Sequence, residues 1–599
     1  MNRVNQYPKL RPARGAFLST AAMAAALAVA PQAARAQAFQ GTANVVAGSA
    51  AISTGANTTT IDVGSPETVI NWTPTDLAGT GTIDFLPSGT TATFQSNGDF
   101  TVLNRILPED TKGNPAARMV AFNGTVDSKL VGATTAGNVW FYTPTGFIIG
   151  PTAVMNVGGL VLTTDDIQFT PNDPSGIPGS IYGPGGVIQF RGPAGSTGLI
   201  DVQAGARLNA VGTTSYIAMV APRIQQGGLV SADRSVGYVA AEQADLTINA
   251  GLFNISILAG TTDPNGIVHT GTTTGSASAS ALDAKTISFV AMPKSTALTM
   301  LLSGSIGYAP AVDATNDGSA VVLSAGYATD LPSAEVAGSL GNISIDNASF
   351  ANPTRASASG TMAITGAAGP VSFASDASLY AQDAIDITLG ASEQLSVGAF
   401  MNLNAGRSGT GGTIDITLGD KASLSITDYL FADASSSASI LAGSPSLDAS
   451  GGTIVLDANG GALSFQAAYV NAGANGFSDP LTGGNAVGGD ISLLARNGGS
   501  ITGAFINANA TAYGGFSDAN GGNAIGGTIA LISQNGSLDF SSVTLDAEAV
   551  AGTGSALSGS ATGGTATVFL SGGTYNWDDL SLYTDAFATY SAGDRKSVV

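Results

Sequence analysis

The chain has 599 residues, of which 44% are hydrophobic and only 11% charged, with 80 glycines, no cysteine and a net charge of −21. Its apolar content excludes disorder throughout, and its glycine load excludes a helical coiled coil, since each interior glycine costs a helix about 1 kcal/mol relative to alanine. The missing cysteines remove disulfide frameworks, cysteine nucleophiles and thiolate metal sites, and the acidic balance disfavours nucleic acid and anionic lipid as partners.

Residues 1–36 read as a signal peptide. Arg3, Lys9, Arg11 and Arg14 give a basic start, 16–30 is an almost unbroken small-apolar run, and Pro31 closes it. Ala34 and Ala36 supply the small residues at −3 and −1, so cleavage is expected before Gln37. The run falls short of the roughly 20 apolar residues of a membrane span, which argues against an uncut anchor. Removing the peptide leaves 16 basic against 42 acidic residues, a net −26. A cysteine-free chain suits a second translocation step in extended form, because no disulfide locks a loop.

Alternating strands are predicted at 69–72, 82–85, 91–94 and 100–103. Asn104-Arg105-Ile106 follows, then a polar loop through Pro115 and the segment Phe122-Asn123-Gly124-Thr125-Val126. Next come two apolar strands flanking Thr143-Pro144-Thr145-Gly146, and an ending Gly158-Gly159-Leu160-Val161-Leu162-Thr163-Thr164. Proline at 144 presets φ and Gly146 permits a positive φ, so a tight turn is expected there. Read locally, this is a series of β-strands around a Pro-Gly turn.

In their order, these landmarks resemble the secretion domain of filamentous-haemagglutinin-type two-partner-secretion exoproteins. The Asn-Arg-hydrophobic triplet matches at Asn104, Arg105 and Ile106, and a hydrophobic-x-Gly-x-hydrophobic segment matches around Asn123 and Gly124. The family's Asn-Pro-Asn-Gly turn is held by Thr143, Pro144, Thr145 and Gly146, with threonine in place of both asparagines, and the Gly-Gly-Leu ending stands at Gly158. The resemblance implies an all-β, right-handed parallel β-helix with an N-terminal capped secretion domain. It further implies export by the Sec translocon, then recognition by an outer-membrane β-barrel transporter with periplasmic modules. Asn104, Arg105, Asn123, Gly124, Thr143, Pro144, Thr145 and Gly146 are the implied recognition residues, within a region at 37–300 whose core is 37–166. The implied location is the cell surface or exterior of a Gram-negative bacterium, and the implied role is an adhesin or matrix protein meeting a receptor or glycan.

Beyond Asp166, short strands continue at 186–190, 198–202 and 204–210. Segments 215–222, 236–241 and 297–302 are nearly all apolar, as strands buried on both sides are. A β-helix shaft is expected over 301–410. From 411 an internal repeat appears: glycine pairs begin at Gly411, Gly451, Gly488, Gly526 and Gly563, spaced by 40, 37, 38 and 37 residues. After each pair three short strands are expected, for example at Ile414/Ile416, Leu424/Ile426 and Leu430. They make about one β-helix coil, with the remaining small, polar residues as a projecting loop; two smaller coils per repeat is the alternative.

No catalytic, metal or cofactor set emerges. The single histidine, His269, has no second histidine or cysteine to work with, so a structural or solvated role is expected. Segment 192–198 lacks the Gly-Lys-Ser/Thr ending of a phosphate loop. Asp165-Asp166 and Asp578-Asp579 are read as exposed turn carboxylates, and no nonapeptide calcium pattern occurs in series. Trp72, Trp140 and Trp577 are read as core or cap residues. The competing function is a β-helix enzyme acting on polysaccharide, which needs clustered acidic and basic groups. Between Arg407 and Gly593 the only basic residues are Lys421 and Arg496, which favours the non-catalytic reading.

The last six residues, Asp594-Arg595-Lys596-Ser597-Val598-Val599, are foreign to the acidic stretch before them and resemble one frame of a common DNA-sequencing adapter. They are expected to be an assembly artefact in a protein that continues with more repeats. Resequencing the locus checks this: a native stop codon directly after Val599 refutes it.

Overall fold

The computed structural model describes residues 37–132, 136–172, 179–311, 317–328, 340–439 and 447–588. The expectations for 1–36 and 594–599 lie outside these residues. Short strands of alternating burial stack in parallel, coil upon coil, so the all-β parallel β-helix expected from the sequence is the fold.

Each coil contributes a strand to each of three faces, in a fixed order. In one repeat these are Thr413–Leu418 on the first face, Ser423–Ile426 on the second and Tyr429–Asp433 on the third. The next coil lays Thr453–Asn459, Ala462–Ser464 and Ala467–Asn471 on them in parallel register. Like therefore stacks on like. Ile414, Ile454, Ile491 and Ile529 form one inward column, and Leu424, Leu463, Ile501 and Leu538 another. Coils rise by the inter-strand spacing of about 4.8 Å, and each buried Leu, Ile or Phe contributes roughly 1.5–3 kcal/mol.

At the N-terminal end the ladders give way to antiparallel pairing. Gly41–Ala47 runs against Glu67–Pro74, and Ala50–Gly55 forms a hairpin with Thr58–Val63. Phe39 plugs the core beneath them, its ring centroid 5.0 Å from those of both Trp72 and Phe85. This cap turns paired strands rather than a bare edge toward solvent.

A second antiparallel sheet leaves the solenoid and returns to cover it. It comprises Asp166–Ile167, Val187–Arg191, Gln243–Asn249 and Leu252–Ala259. Ile188, Phe190, Leu246 and Ile255 from this sheet bury Trp140, Val161, Ala218, Val220 and Val239 on the outside of the third face. That cover explains why Tyr216–Ala221 and Ser235–Ala240 are buried at every position, as their apolar sequences predict. The same expectation fails at 297–302. Leu298–Ile306 belongs to the first and second faces, over which the described residues lay no sheet, and Leu301 points outward, 37% exposed.

The C-terminal repeats are single three-strand coils, and the segments expected as projecting loops carry short strands of their own. They form two further parallel ladders of two-residue strands. One stacks Ser436–Ser437, Ala474–Asn475, Ala512–Tyr513, Ala549–Val550 and Ala586–Phe587; the other includes Ala449–Ser450, Ala486–Val487, Ala524–Ile525 and Ala561–Thr562. Inward alanines at 449, 474, 486, 512, 524 and 549 make a small core of their own, separate from the main one. Two-residue strands carry too little periodicity to be read from a sequence.

The glycine pairs sit where each coil is re-entered, backbone against backbone. The amide of Gly489 donates to the carbonyl of Ala472 at 2.8 Å, and Gly527 and Gly564 repeat this bond to Ala510 and Ala547. A Cβ on Gly527 would stand 2.1 Å from the carbonyl oxygen of Gly489, one coil away. Gly527→Ala is therefore expected to destabilise its coil by about 1–3 kcal/mol. Gly98→Ala, where an added Cβ meets nothing within 4 Å, is expected to change little. Hydrogen exchange of the two variants checks the difference.

Candidate partner-recognition site

The landmark residues fall on consecutive coils near the N-terminal end. Asn104 and Arg105 lie on Thr101–Ile106, a third-face strand, and the alternation of the strand turns them to opposite sides. Asn104 points into the core and is fully buried. Its Oδ1 accepts from the Trp72 indole N–H at 3.0 Å, and its Nδ2 donates to the Trp140 carbonyl at 3.2 Å. One side chain thereby bolts three coils together in an otherwise apolar core, and losing it leaves a buried indole N–H unpartnered, at a penalty of roughly 1–3 kcal/mol.

Arg105 points outward beneath the covering sheet. Its guanidinium donates to both oxygens of Asp166, at 3.2 and 2.7 Å, and to Asn71 Oδ1 at 3.2 Å. It also lies over the rings of Tyr142 and Phe169, 5.5 and 5.2 Å from their centroids. Bidentate pairing of this kind fixes orientation as well as charge. Arg105 thus ties the first strand of the covering sheet to the solenoid.

Asn123 and Gly124 form the corner between the first and second faces, after Val120–Phe122 and before Thr125–Leu130. Asn123 Nδ2 donates to Asp84 at 3.1 Å. A Cβ on Gly124 would stand 2.6 Å from the carbonyl oxygens of Pro87 and Thr90, so only glycine fits.

Thr143, Pro144, Thr145 and Gly146 make the corner between the third face, at Asn138–Tyr142, and the first, at Gly146–Ile149. Gly146 has a φ of 120°, the positive value expected of the turn, and a Cβ there would lie 2.4 Å from the Leu199 carbonyl oxygen. Thr143 is buried with its hydroxyl unpartnered, Thr145 donates to the Arg118 carbonyl, and Pro144 is exposed. Arg105 stands opposite Tyr142 in the ladder, next to this turn; Asn123 and Gly124 occupy a different corner. Of the eight residues, Asn104, Gly124, Thr143 and Gly146 are buried.

The Gly158-Gly159 ending is equally tight. Tyr216 packs over Gly159, where a Cβ would stand 2.4 Å from its ring, and its hydroxyl accepts from the Trp140 indole N–H at 3.0 Å. Trp72 and Trp140 are core residues, as read from the sequence.

Asp165 departs from its expected place. The chain leaves the third face here for the covering sheet, and Asp165 is buried with neither carboxyl oxygen hydrogen-bonded. Glu242 marks the second such exit; it is 1% exposed and paired with Lys294 at 2.6 Å. Burial, aided by the Glu242 carboxylate, pushes the Asp165 carboxyl up to about 9. Asp166 is not a free turn carboxylate either, since it holds Arg105. Sequence reasoning missed both because the sheet that covers them comes from residues far downstream.

His269 is a core residue. Its Nδ1 lies 2.7 Å from the Ser303 carbonyl and its Nε2 2.9 Å from Thr273 Oγ1, which also meets the Tyr238 hydroxyl at 2.7 Å. Burial pulls the imidazole down to about 4. Among the described residues no cluster of three or more His, Cys, Asp or Glu is arranged to hold a metal ion.

No protein-family model and no curated protein matches the chain. Among solved structures it is similar to the HMW1 secretion domain from Haemophilus influenzae, at 15% identity and a TM-score of 0.30, over 90% of this chain and 99% of that chain. So slight a likeness carries no argument, and the fold stands on the ladders themselves.

The buried Asp165 sets a pH dependence. The unfolded chain releases this proton in the ordinary carboxylate range, whereas the folded chain keeps it until about pH 9. The folded state binds more protons across that window, so the contribution of this group falls as pH rises through it. Asp165→Asn is expected to remove a slope of up to ~1.4 kcal/mol per pH unit. Denaturant unfolding of both chains between about pH 5 and pH 9 checks it, and parallel profiles refute it.

Proposed function

We propose that this chain is a two-partner-secretion exoprotein, exported through the Sec translocon and then an outer-membrane β-barrel transporter, and displayed or released as a non-catalytic adhesin or matrix protein. The observation that carries the reading is the placement of the family landmarks. In chain order they occupy successive coils, at a third-face strand, two corners and the next third-face strand, directly above the N-terminal cap. Periplasmic modules of such a transporter can pair with extended chain by edge addition. Coil-by-coil stacking outside the cell then draws the rest outward, because each new coil needs only the one before it.

Within this reading the eight residues divide by accessibility. Exposed Pro144 and half-buried Thr145 offer surface for recognition, whereas Asn104, Gly124, Thr143 and Gly146 set the shape that presents them. Low charge along the repeats and the absence of clustered basic groups there support a presenting shaft over a polysaccharide-cleaving one.

Replacing residues 143–146 is expected to abolish surface appearance in cells carrying the transporter, while cleavage after Ala36 proceeds. Pro144→Ala with Thr145→Val separates recognition from folding, because Gly146 and the buried Thr143 are kept. Protease accessibility on intact cells reads both variants. Normal display of the variant lacking the native turn would sink the proposal.

A further inference from the structure

Past the covering sheet no antiparallel sheet among the described residues lies over the third face, and one stretch of it is concave. Strands Ser319–Ala325, Thr354–Ala358, Ala377–Ala381 and Met401–Arg407 lie side by side there and form a cleft of about 310 Å³. Its outward side chains fall in two rows set by the register. Arg355, Ser378 and Asn402 follow one another in the first, and Ser357, Tyr380 and Asn404 in the second. The serines make a low floor, and the larger side chains rise around it.

The charge pattern of this cleft is unlike that of its surroundings. Among the described residues no carboxylate lines it. Arg355 is exposed and has no hydrogen-bond or ion-pair partner among the described residues. The next arginines along the solenoid are both neutralised, Arg407 by Asp383 and Arg496 by Asp457. In a chain of net charge −21, an unpaired guanidinium in a carboxylate-free cleft calls for an anion.

The remaining lining says what kind. A guanidinium presents a planar fork that matches a carboxylate in bidentate fashion. The amides of Asn402 and Asn404 each offer donors and an acceptor, and the hydroxyls of Ser357 and Ser378 offer both, which suits neighbouring hydroxyls of a polyol. The Tyr380 ring supplies one apolar flank with a polar tip. A single cation balances a monoanion. Farther along the same row Phe431 follows Asn402 and stacks on Tyr469, with centroids 5.2 Å apart and planes 6° apart.

We propose that this cleft binds a pyranose bearing one carboxylate, a uronic-acid type of sugar, with Arg355 on the carboxylate, Asn402 and Asn404 on the ring hydroxyls and Tyr380 against the ring. The assignment names the ligand class of the adhesin reading and rests on it for its biological meaning. Binding in solution does not depend on export, so the two can fail separately.

Titration of the purified chain with sodium glucuronate, and with glucose as its neutral counterpart, followed by ligand-observed NMR and calorimetry, tests it. Saturable glucuronate binding is expected, weakened by added salt, with glucose weaker by at least about tenfold. Arg355→Gln is expected to lower affinity at least about tenfold, and Arg355→Lys to recover part of the loss. Asn507→Ala, on the same row but outside the cleft, should bind as the parent does. The proposal is overturned if glucuronate does not bind, if glucose binds equally well, or if Arg355→Gln binds unchanged. Normal surface display of the chain lacking the native 143–146 turn, with glucuronate binding intact, would instead count against the export reading alone.

Discussion

Everything in this molecule depends on exact coil-to-coil register. A parallel strand has no hairpin partner, so its backbone N–H and C=O groups are met only by the coils on either side. Because side chains alternate, a slip of one residue would turn every inward Ile and Leu to solvent and every outward Asn, Ser and Thr into the core. The columns Ile414, Ile454, Ile491, Ile529 and Leu424, Leu463, Ile501, Leu538 make the correct register the only one that keeps the core dry. Glycine pairs at the coil entries then allow the backbones to approach where no side chain fits.

The third face shows how one ladder serves two ends. Toward the N terminus it is roofed by an antiparallel sheet, and its outward positions become apolar: Trp140, Val161, Tyr216, Val239. Polar groups caught beneath that roof include one with specific partners, Arg105 on Asp166 and Asn71, and one driven to hold a proton, Asp165. Toward the C terminus the described residues form no such roof, strands return to strict alternation, and the outward rows carry hydroxyls, amides and stacked aromatic rings.

What could be read in advance follows from the range of the signal. Strand positions such as Val69 to Trp72, the turn at Gly146 and the three short strands of each repeat rest on local alternation and glycine spacing and were legible, whereas spacing left one coil or two per repeat open. Complete burial of Tyr216–Ala221 was legible too, since only a roofed strand is apolar throughout. Leu301 misled because Leu298–Ile306 spans two uncovered faces, where one apolar residue can sit outside without penalty enough to forbid it. The alanine-lined ladders were beyond reach because two residues show no period. Nor could the pairing of Asn104 with Trp72, or of Arg105 with Asp166, be read from spacing, since partners 32 and 61 residues apart meet only once the coils are wound.

Register that is exact from coil to coil also makes the repeats interchangeable. Each presents to the next the same columns, glycine pair and alanine ladders that it receives from the one before. Unequal recombination that removes or duplicates one whole unit of 37 or 38 residues leaves every surviving junction as it was. A deletion of a single codon within a coil strand does not. Shaft length is therefore free to drift between lineages at almost no risk to folding, while the phase of the repeat is held fixed.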